Sequence, residues 1–198
     1  MSSPKCYVFD IGNVVWYYPA LQRQFLTTWA GQLNLTYDQM FSEFVLVYQQ
    51  LETGHLKLSD WALSLGGDLD KFIASLDQVY SLPNFNHHLI STTINFINQL
   101  RSENLPLGYL SNVEEFLYPY IHQRLEHLFD FHILSYQVGV RKPHPQIYQE
   151  IFKYGPWQPS EVIFFDDTLS NVTAAKELGI NAIQFHDTPD FYNQFSLK

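Results

Sequence analysis

The chain has 198 residues, a formal net charge of -9, 46% hydrophobic and 17% aromatic content, and a single cysteine. That suits one domain, or one domain carrying a smaller inserted unit, with enough chain to bury a core without disulfide or metal staples. The acidic balance offers no basic patch for nucleic acid, no apolar run approaches the roughly 20 residues that span a bilayer, and one cysteine cannot form an internal disulfide. The expectation is a cytoplasmic protein with no nucleic-acid or membrane partner, a monomer with a dimer as the alternative, and Cys6 as a small core residue. The opening MSSPK runs straight into a strand, so no signal peptide is expected.

In chain order, Cys6–Asp10 reads as the first strand. From Pro19 to Leu82 apolar residues recur at helical spacing: Leu21, Phe25, Trp29 and Leu33, then Phe41, Phe44, Val45 and Tyr48. Leu58–Leu65 and Phe72–Tyr80 are further helices, broken by Gly66-Gly67, so residues 19–82 read as a unit of four or five short helices. After Pro83 strands and helices alternate. Helices are expected over His88–Glu103, Glu114–Leu125, Pro145–Tyr154 and Ser170–Leu178, the last closed by Gly179. Strands are expected over Leu107–Leu110, Phe131–Ser135, Val162–Phe165 and Asn181–Phe185. This alternation implies βαβ units, hence a doubly wound α/β fold on a parallel sheet, with the helical unit inserted after the first strand. The division is then a core domain of residues 1–18 and 83–198 and an insert of residues 19–82.

Polar residues gather where three strands stop: Asp10, Ser111-Asn112 and Asp166-Asp167. In open parallel sheets the crevice outside the carboxyl ends of the strands is where ligands bind. Each group also has an ordinary explanation, as a turn residue or a helix N-cap. Two adjacent carboxylates at a buried strand end repel each other, and a bound cation removes that repulsion. Lys142, in the loop Arg141-Lys142-Pro143, is alone no more than a loop lysine.

Taken together and in order, VFDIGNVV, GYLSNV, GVRKPHPQIY and FFDDTLSNVTAAKELGI resemble the haloacid dehalogenase (HAD) superfamily, in its subfamily with a helical cap after the first strand. The resemblance covers nearly the whole chain. It implies a Rossmann-like sheet of strand order 3-2-1-4-5, a helical cap over residues 19–82, and magnesium as the cofactor. It also implies a small phosphorylated metabolite as substrate, possibly a sugar phosphate.

The residue types suit that chemistry. Asp10 is a competent nucleophile for an aspartyl-phosphate, and its other oxygen can ligate magnesium. Asp167 is the expected direct ligand and Asp166 the second, direct or through water, with the carbonyl of Gly12 as another. Ser111 would donate to the phosphoryl oxygens, Lys142 would offset negative charge, and Asn112 and Asn171 would position substrate or its neighbours. Leu51-Glu52-Thr53-Gly54-His55 resembles the family's E-x-G loop, making Glu52 and His55 candidates for substrate contact; the alternative for each is an exposed helix-to-helix turn. A dehalogenase is the rival within the superfamily, but two adjacent carboxylates would repel its anionic substrate.

One position departs from the family pattern. Two residues after the nucleophile most phosphatases of the superfamily carry an acid/base aspartate, and this chain has Gly12. Either the loop needs an unusual φ there, or backbone must approach phosphate closely. Either the substrate has a good leaving group, as an anomeric sugar phosphate or an acyl phosphate does, and needs no strong acid, or a cap residue supplies the proton on closure, His55 being the first candidate. The alternative is a weakly active or non-catalytic phospho-ligand-binding protein. Trp16, Tyr17 and Tyr18 are read as hinge-lining or core aromatics.

Overall fold

The computed structural model describes residues 4–195; the ends of the expected core domain, residues 1–3 and 196–198, lie outside the described residues, as do the side chains of residues 82–84 around the expected boundary at Leu82 and Pro83. Five strands form one parallel sheet: β1 (Cys6–Phe9), β2 (Leu107–Ser111), β3 (Phe131–Leu134), β4 (Val162–Asp166) and β5 (Asn181–Gln184), in the order β3-β2-β1-β4-β5. That is the 3-2-1-4-5 order implied by the sequence motifs. β1 is central and covered on both faces, so its residues are apolar throughout rather than alternating. Tyr7 and Phe9 face one core cluster with Tyr109 and Phe165, while Cys6 and Val8 face a second with Leu110 and Phe164. Burial pushes the Cys6 thiol up to about 12, as suits a core residue.

Register fixes where the polar strand ends lie. Phe9 pairs with Phe165 on one side and with Tyr109 on the other, so Asp10 emerges level with Asp166 and one residue short of Ser111. The three motifs thus share one edge of the sheet.

Between β1 and β2 lie α1 (Pro19–Gln32), α2 (Tyr37–Glu52), α3 (Leu58–Ser64), α4 (Leu69–Val79), α5 (Leu82–His87) and α6 (Ser91–Ser102). Thr36 and Gln39 form a reciprocal capping box at the start of α2, and Asp68 caps α4, which fixes both entry points. Beyond β2 come α7 (Tyr118–Leu125), α8 (Ser135–Val138), α9 (Pro145–Gln149) and α10 (Leu169–Glu177). Gly179 follows α10 at φ 83, where a residue with a Cβ would be strained.

Several expectations shift. The expected helix from His88 begins at Ser91, after the separate α5; the one from Glu114 begins at Tyr118, behind a turn and Pro119. The expected helix Pro145–Tyr154 tightens to a 3-10 turn after Gln149. Ser135 leaves the strand to start α8. On α2, Phe44 is buried but Phe41 and Val45 face outward, so only part of that apolar row packs inside. Among the described residues, no helix is long and apolar enough to cross a membrane.

Candidate active site

The strand ends line one cavity of about 280 Å³, shared with residues from the loop after β1, from α1 and α2, and from the loop before α9. Its floor is built on Lys142, a lysine that is 1% exposed. The ammonium lies 2.8 Å from Asp10 Oδ1, 2.7 Å from Asp166 Oδ2 and 3.0 Å from the carbonyl of Leu110. An ammonium has three donors, and all three are thereby committed. Burial alone would lower its pKa, but Asp10 and Asp166 outweigh that and move it upward, so it stays charged.

Asp166 is saturated as well. Its Oδ1 accepts from the Thr168 amide at 2.9 Å and from Asn171 Nδ2 at 3.0 Å, while Oδ2 accepts from Asn171 and Lys142. Asp167 is held more loosely, by Asn13 Nδ2 at 3.1 Å and the Thr168 hydroxyl at 3.2 Å. Oxygen atoms of Asp10, Asp166 and Asp167 lie within 4.8 Å of one another. Burial, the largest cause, pushes the Asp10 carboxyl up to about 7; Lys142 works against this and Asp166 and Asp167 add to it. Three carboxylates around one ammonium leave a surplus of two negative charges. A hard divalent cation on oxygen ligands matches that surplus, and the buried Asn13 Oδ1, unpartnered beside Asp167, is a further oxygen donor facing it. The residues present therefore fit magnesium.

The two asparagines are engaged with protein groups rather than aimed at a ligand. Asn112 clamps the backbone of Lys142, donating to its carbonyl at 3.0 Å and accepting from its amide at 2.8 Å. Asn171 holds Asp166. Both line the cavity, yet their polar ends hold the floor in place. Ser111 is buried at the rim of the same cavity.

Gly12 also lines the cavity, but the expected unusual φ is not there. The left-handed residue is its neighbour Asn13, at φ 58. What Gly12 accommodates is Tyr18: a Cβ built on residue 12 would stand 2.9 Å from Tyr18 Cε1. The ring of Tyr18 occupies the direction a side chain at 12 would take. Of the neighbouring aromatics, Trp16 is buried and stacks on Phe85 at 4.2 Å, while Tyr17 is half exposed.

The opposite wall was largely invisible in the sequence. Glu52, the last residue of α2, is buried with its Oε2 2.6 Å from Arg141 Nε. It also bonds to Tyr48, which bonds in turn to Tyr18. Glu114 completes the group, buried and electrostatically coupled to Glu52, Arg141, Tyr18 and Tyr48. Glu52 is thus no exposed turn residue. His55 is one: it is exposed, bonded to Thr53 at 2.7 Å, and not among the residues lining the cavity. The only sequence signal for Glu114 was its place directly behind Ser111-Asn112-Val113, where it read as the first residue of a helix. The carbonyl of Glu52 accepts a short bond from the Ser135 hydroxyl, which in turn accepts from the Val113 amide, tying the end of α2 to the loop after β2.

The haloacid dehalogenase-like hydrolase model matches residues 4–179, most of the chain. The chain belongs to that family. Among curated relatives, this hydrolase is 26% identical over 159 residues to D-ribitol-5-phosphate phosphatase of Bacteroides thetaiotaomicron, covering 76% of this chain and 77% of that one. It is 45% identical over 60 residues to bifunctional epoxide hydrolase 2 of Mus musculus, a match covering 30% of this chain and only 11% of that protein's length. Among solved structures, the hydrolase superposes on a HAD family enzyme from Bacteroides thetaiotaomicron in complex with magnesium and inorganic phosphate. The TM-score is 0.75 at 19% identity, covering 98% of this chain and all of the other, and it establishes the shared fold.

Proposed function

We propose that this hydrolase is a magnesium-dependent phosphatase that removes phosphate from a small phosphorylated metabolite by way of an aspartyl-phosphate on Asp10. The observation that carries the reading is the cluster of Asp10, Asp166 and Asp167 at the ends of adjacent strands, the first two ion-paired with Lys142. Asp10, Asp167 and the Gly12 carbonyl would hold the metal, and Asp166 holds Lys142. When bound there, magnesium would draw charge from the phosphoryl oxygens. Lys142 fixes the attacking oxygen of Asp10 in line and cancels part of its charge; Ser111 donates to a phosphoryl oxygen. Residues 19–82 act as a cap whose Tyr48 and Glu52 face the leaving group, over a core of residues 1–18 and 83–198. A cavity of about 280 Å³ lined by buried carboxyl, hydroxyl and guanidinium groups favours a polar alcohol such as a sugar or polyol phosphate. The relative acting on D-ribitol 5-phosphate supports the same class.

The test is a panel of sugar, polyol, aryl and acyl phosphates assayed with and without magnesium. Hydrolysis is expected only with the metal, and Asp10→Asn is expected to lower it at least about 10³-fold with the circular dichroism spectrum intact. Saturable binding without turnover would make the chain a phospho-ligand-binding protein instead. Halide release from 2-haloacids in the presence of a chelator would make it a dehalogenase.

A further inference from the structure

Breaking the bond between phosphorus and an alcohol oxygen leaves an alkoxide unless a proton arrives with it. In-line transfer puts that oxygen on the side of phosphorus opposite Asp10. No group at the strand ends can deliver the proton. Lys142 has committed its three donors, Asp166 and Asp167 are acceptors, residue 12 has no side chain, and His55 stands outside the cavity. The same cavity is also lined by Tyr18, Tyr48, Glu52, Glu114 and Arg141, and the donor is sought among them.

These five are not equivalent. Burial pushes the Tyr18 hydroxyl up to about 12 and Tyr48 higher still, so both hold their protons tightly. The two carboxyls share a single cation in a buried setting, so both cannot ionise at little cost. Arg141 lies against Glu52, which Tyr48 also supports. Among the described residues no ion pair is made to Glu114, the Arg141 charge acts on it less than the Glu52 charge does, and it is 4% exposed, so the shared proton is assigned to it. Burial, followed by the charge on Glu52, pushes its carboxyl up to about 8.

We propose that Glu114 is the acid of this site, giving its proton to the leaving alcohol oxygen as the Asp10–phosphorus bond forms and the ester bond breaks. The Glu114 carboxylate then takes a proton from the water that attacks phosphorus and releases Asp10. The cycle consumes one ester and one water, yields alcohol and phosphate, and returns both side chains to their starting states. The inference rests on the phosphatase reading above and adds a catalytic residue to it.

The experiment compares the magnesium-loaded wild type with Glu114→Gln on a graded series of monoesters, from nitrophenyl to simple alkyl phosphates. Glutamine matches the neutral acid in shape and cannot give up a proton. Since the same side chain serves the attacking water, kcat is expected to fall for every ester. The ratio kcat/KM reads only the transfer to Asp10; it falls about tenfold or less for nitrophenyl phosphate, whose leaving group needs no proton, and about 10²- to 10⁴-fold for alkyl phosphates. The dependence on leaving-group basicity steepens accordingly, and the alkaline limb of the alkyl-phosphate pH profile disappears. An equal loss in kcat/KM across the series, or no loss, overturns the proposal while leaving the phosphatase intact. A wild type that turns over no phosphate ester overturns both. Should Glu114→Gln not fold, Glu52→Gln decides. It removes the neighbouring charge and frees Arg141, so the alkaline limb must move to lower pH; a limb that stays in place overturns the assignment.

Discussion

On the strand-end side of the cavity all three donors of Lys142 and both oxygens of Asp166 are taken up by well-aligned protein partners. On the helical side, Glu52 Oε2 and Arg141 Nε lie 2.6 Å apart, yet neither makes a well-directed hydrogen bond. Buried polar groups are ordinarily satisfied, so the ion pair of the second wall is less finished than the Lys142 cluster of the first, where Asn13 Oδ1 beside Asp167 is the open atom. The contrast separates two tasks. Chemistry common to all substrates needs atoms held in one geometry before anything binds. Recognition of a particular alcohol leaves hydrogen-bonding capacity that the alcohol itself completes.

The sharpest way to break this contrast is to attack the finished wall. Lys142→Ala strands Asp10 and Asp166 as buried, unpaired carboxylates, and is expected to cost about 3–5 kcal/mol in urea unfolding without magnesium. A loss below about 1 kcal/mol would show that the floor is not held by this ammonium.

Gly12→Ala is next in size. Its new Cβ meets the Tyr18 ring at 2.9 Å, so a loss of about 1–3 kcal/mol is expected. Adding Tyr18→Ala should recover most of the steric part, and the double-mutant cycle measures it. Simple additivity would mean that Tyr18 is not what requires the glycine.

A third effect is on pH dependence. Glu114 binds its proton more tightly folded than unfolded, with a carboxyl raised from 4.5 to about 8. Between those values the folded state holds the extra proton, so this group's contribution to stability falls as pH rises through the window. Glu52, Arg141, Tyr18, Tyr48 and Tyr80 are the titratable groups facing it. Thermal unfolding of Glu114→Gln should therefore fall less steeply than wild type between about pH 5 and pH 8, and an unchanged slope would place the proton elsewhere.

Most of the first wall could be read from the chain because parallel strands bring their C-terminal residues to one edge by rule. Asp10, Ser111 and Asp166-Asp167 needed only the strand assignments to be found together. The second wall follows no such rule. Arg141 meets Glu52 through the packing of a loop against a helix end, a contact with no period or spacing to announce it. Asn112 and Asn171 were expected to position substrate or its neighbours, and their amides hold the neighbours; sequence gives an asparagine's position, not which partner its amide chooses. His55 lies away from the cavity, since the helix ends at Glu52 and the chain turns outward just beyond it.

The bond from Ser135 to the carbonyl of Glu52 has a consequence for what each residue of this corner tolerates. The tether uses main-chain oxygen, which every amino acid possesses, whereas the side chain at the same residue lines the cavity. Exchanging residue 52 would unpair Arg141 yet leave that bond to the helix end in place. Gly54 has no such latitude: it sits at φ 69, and a Cβ there would press within 2.6 Å of the Tyr136 carbonyl. The corner is thus fastened through its backbone on both sides of the turn.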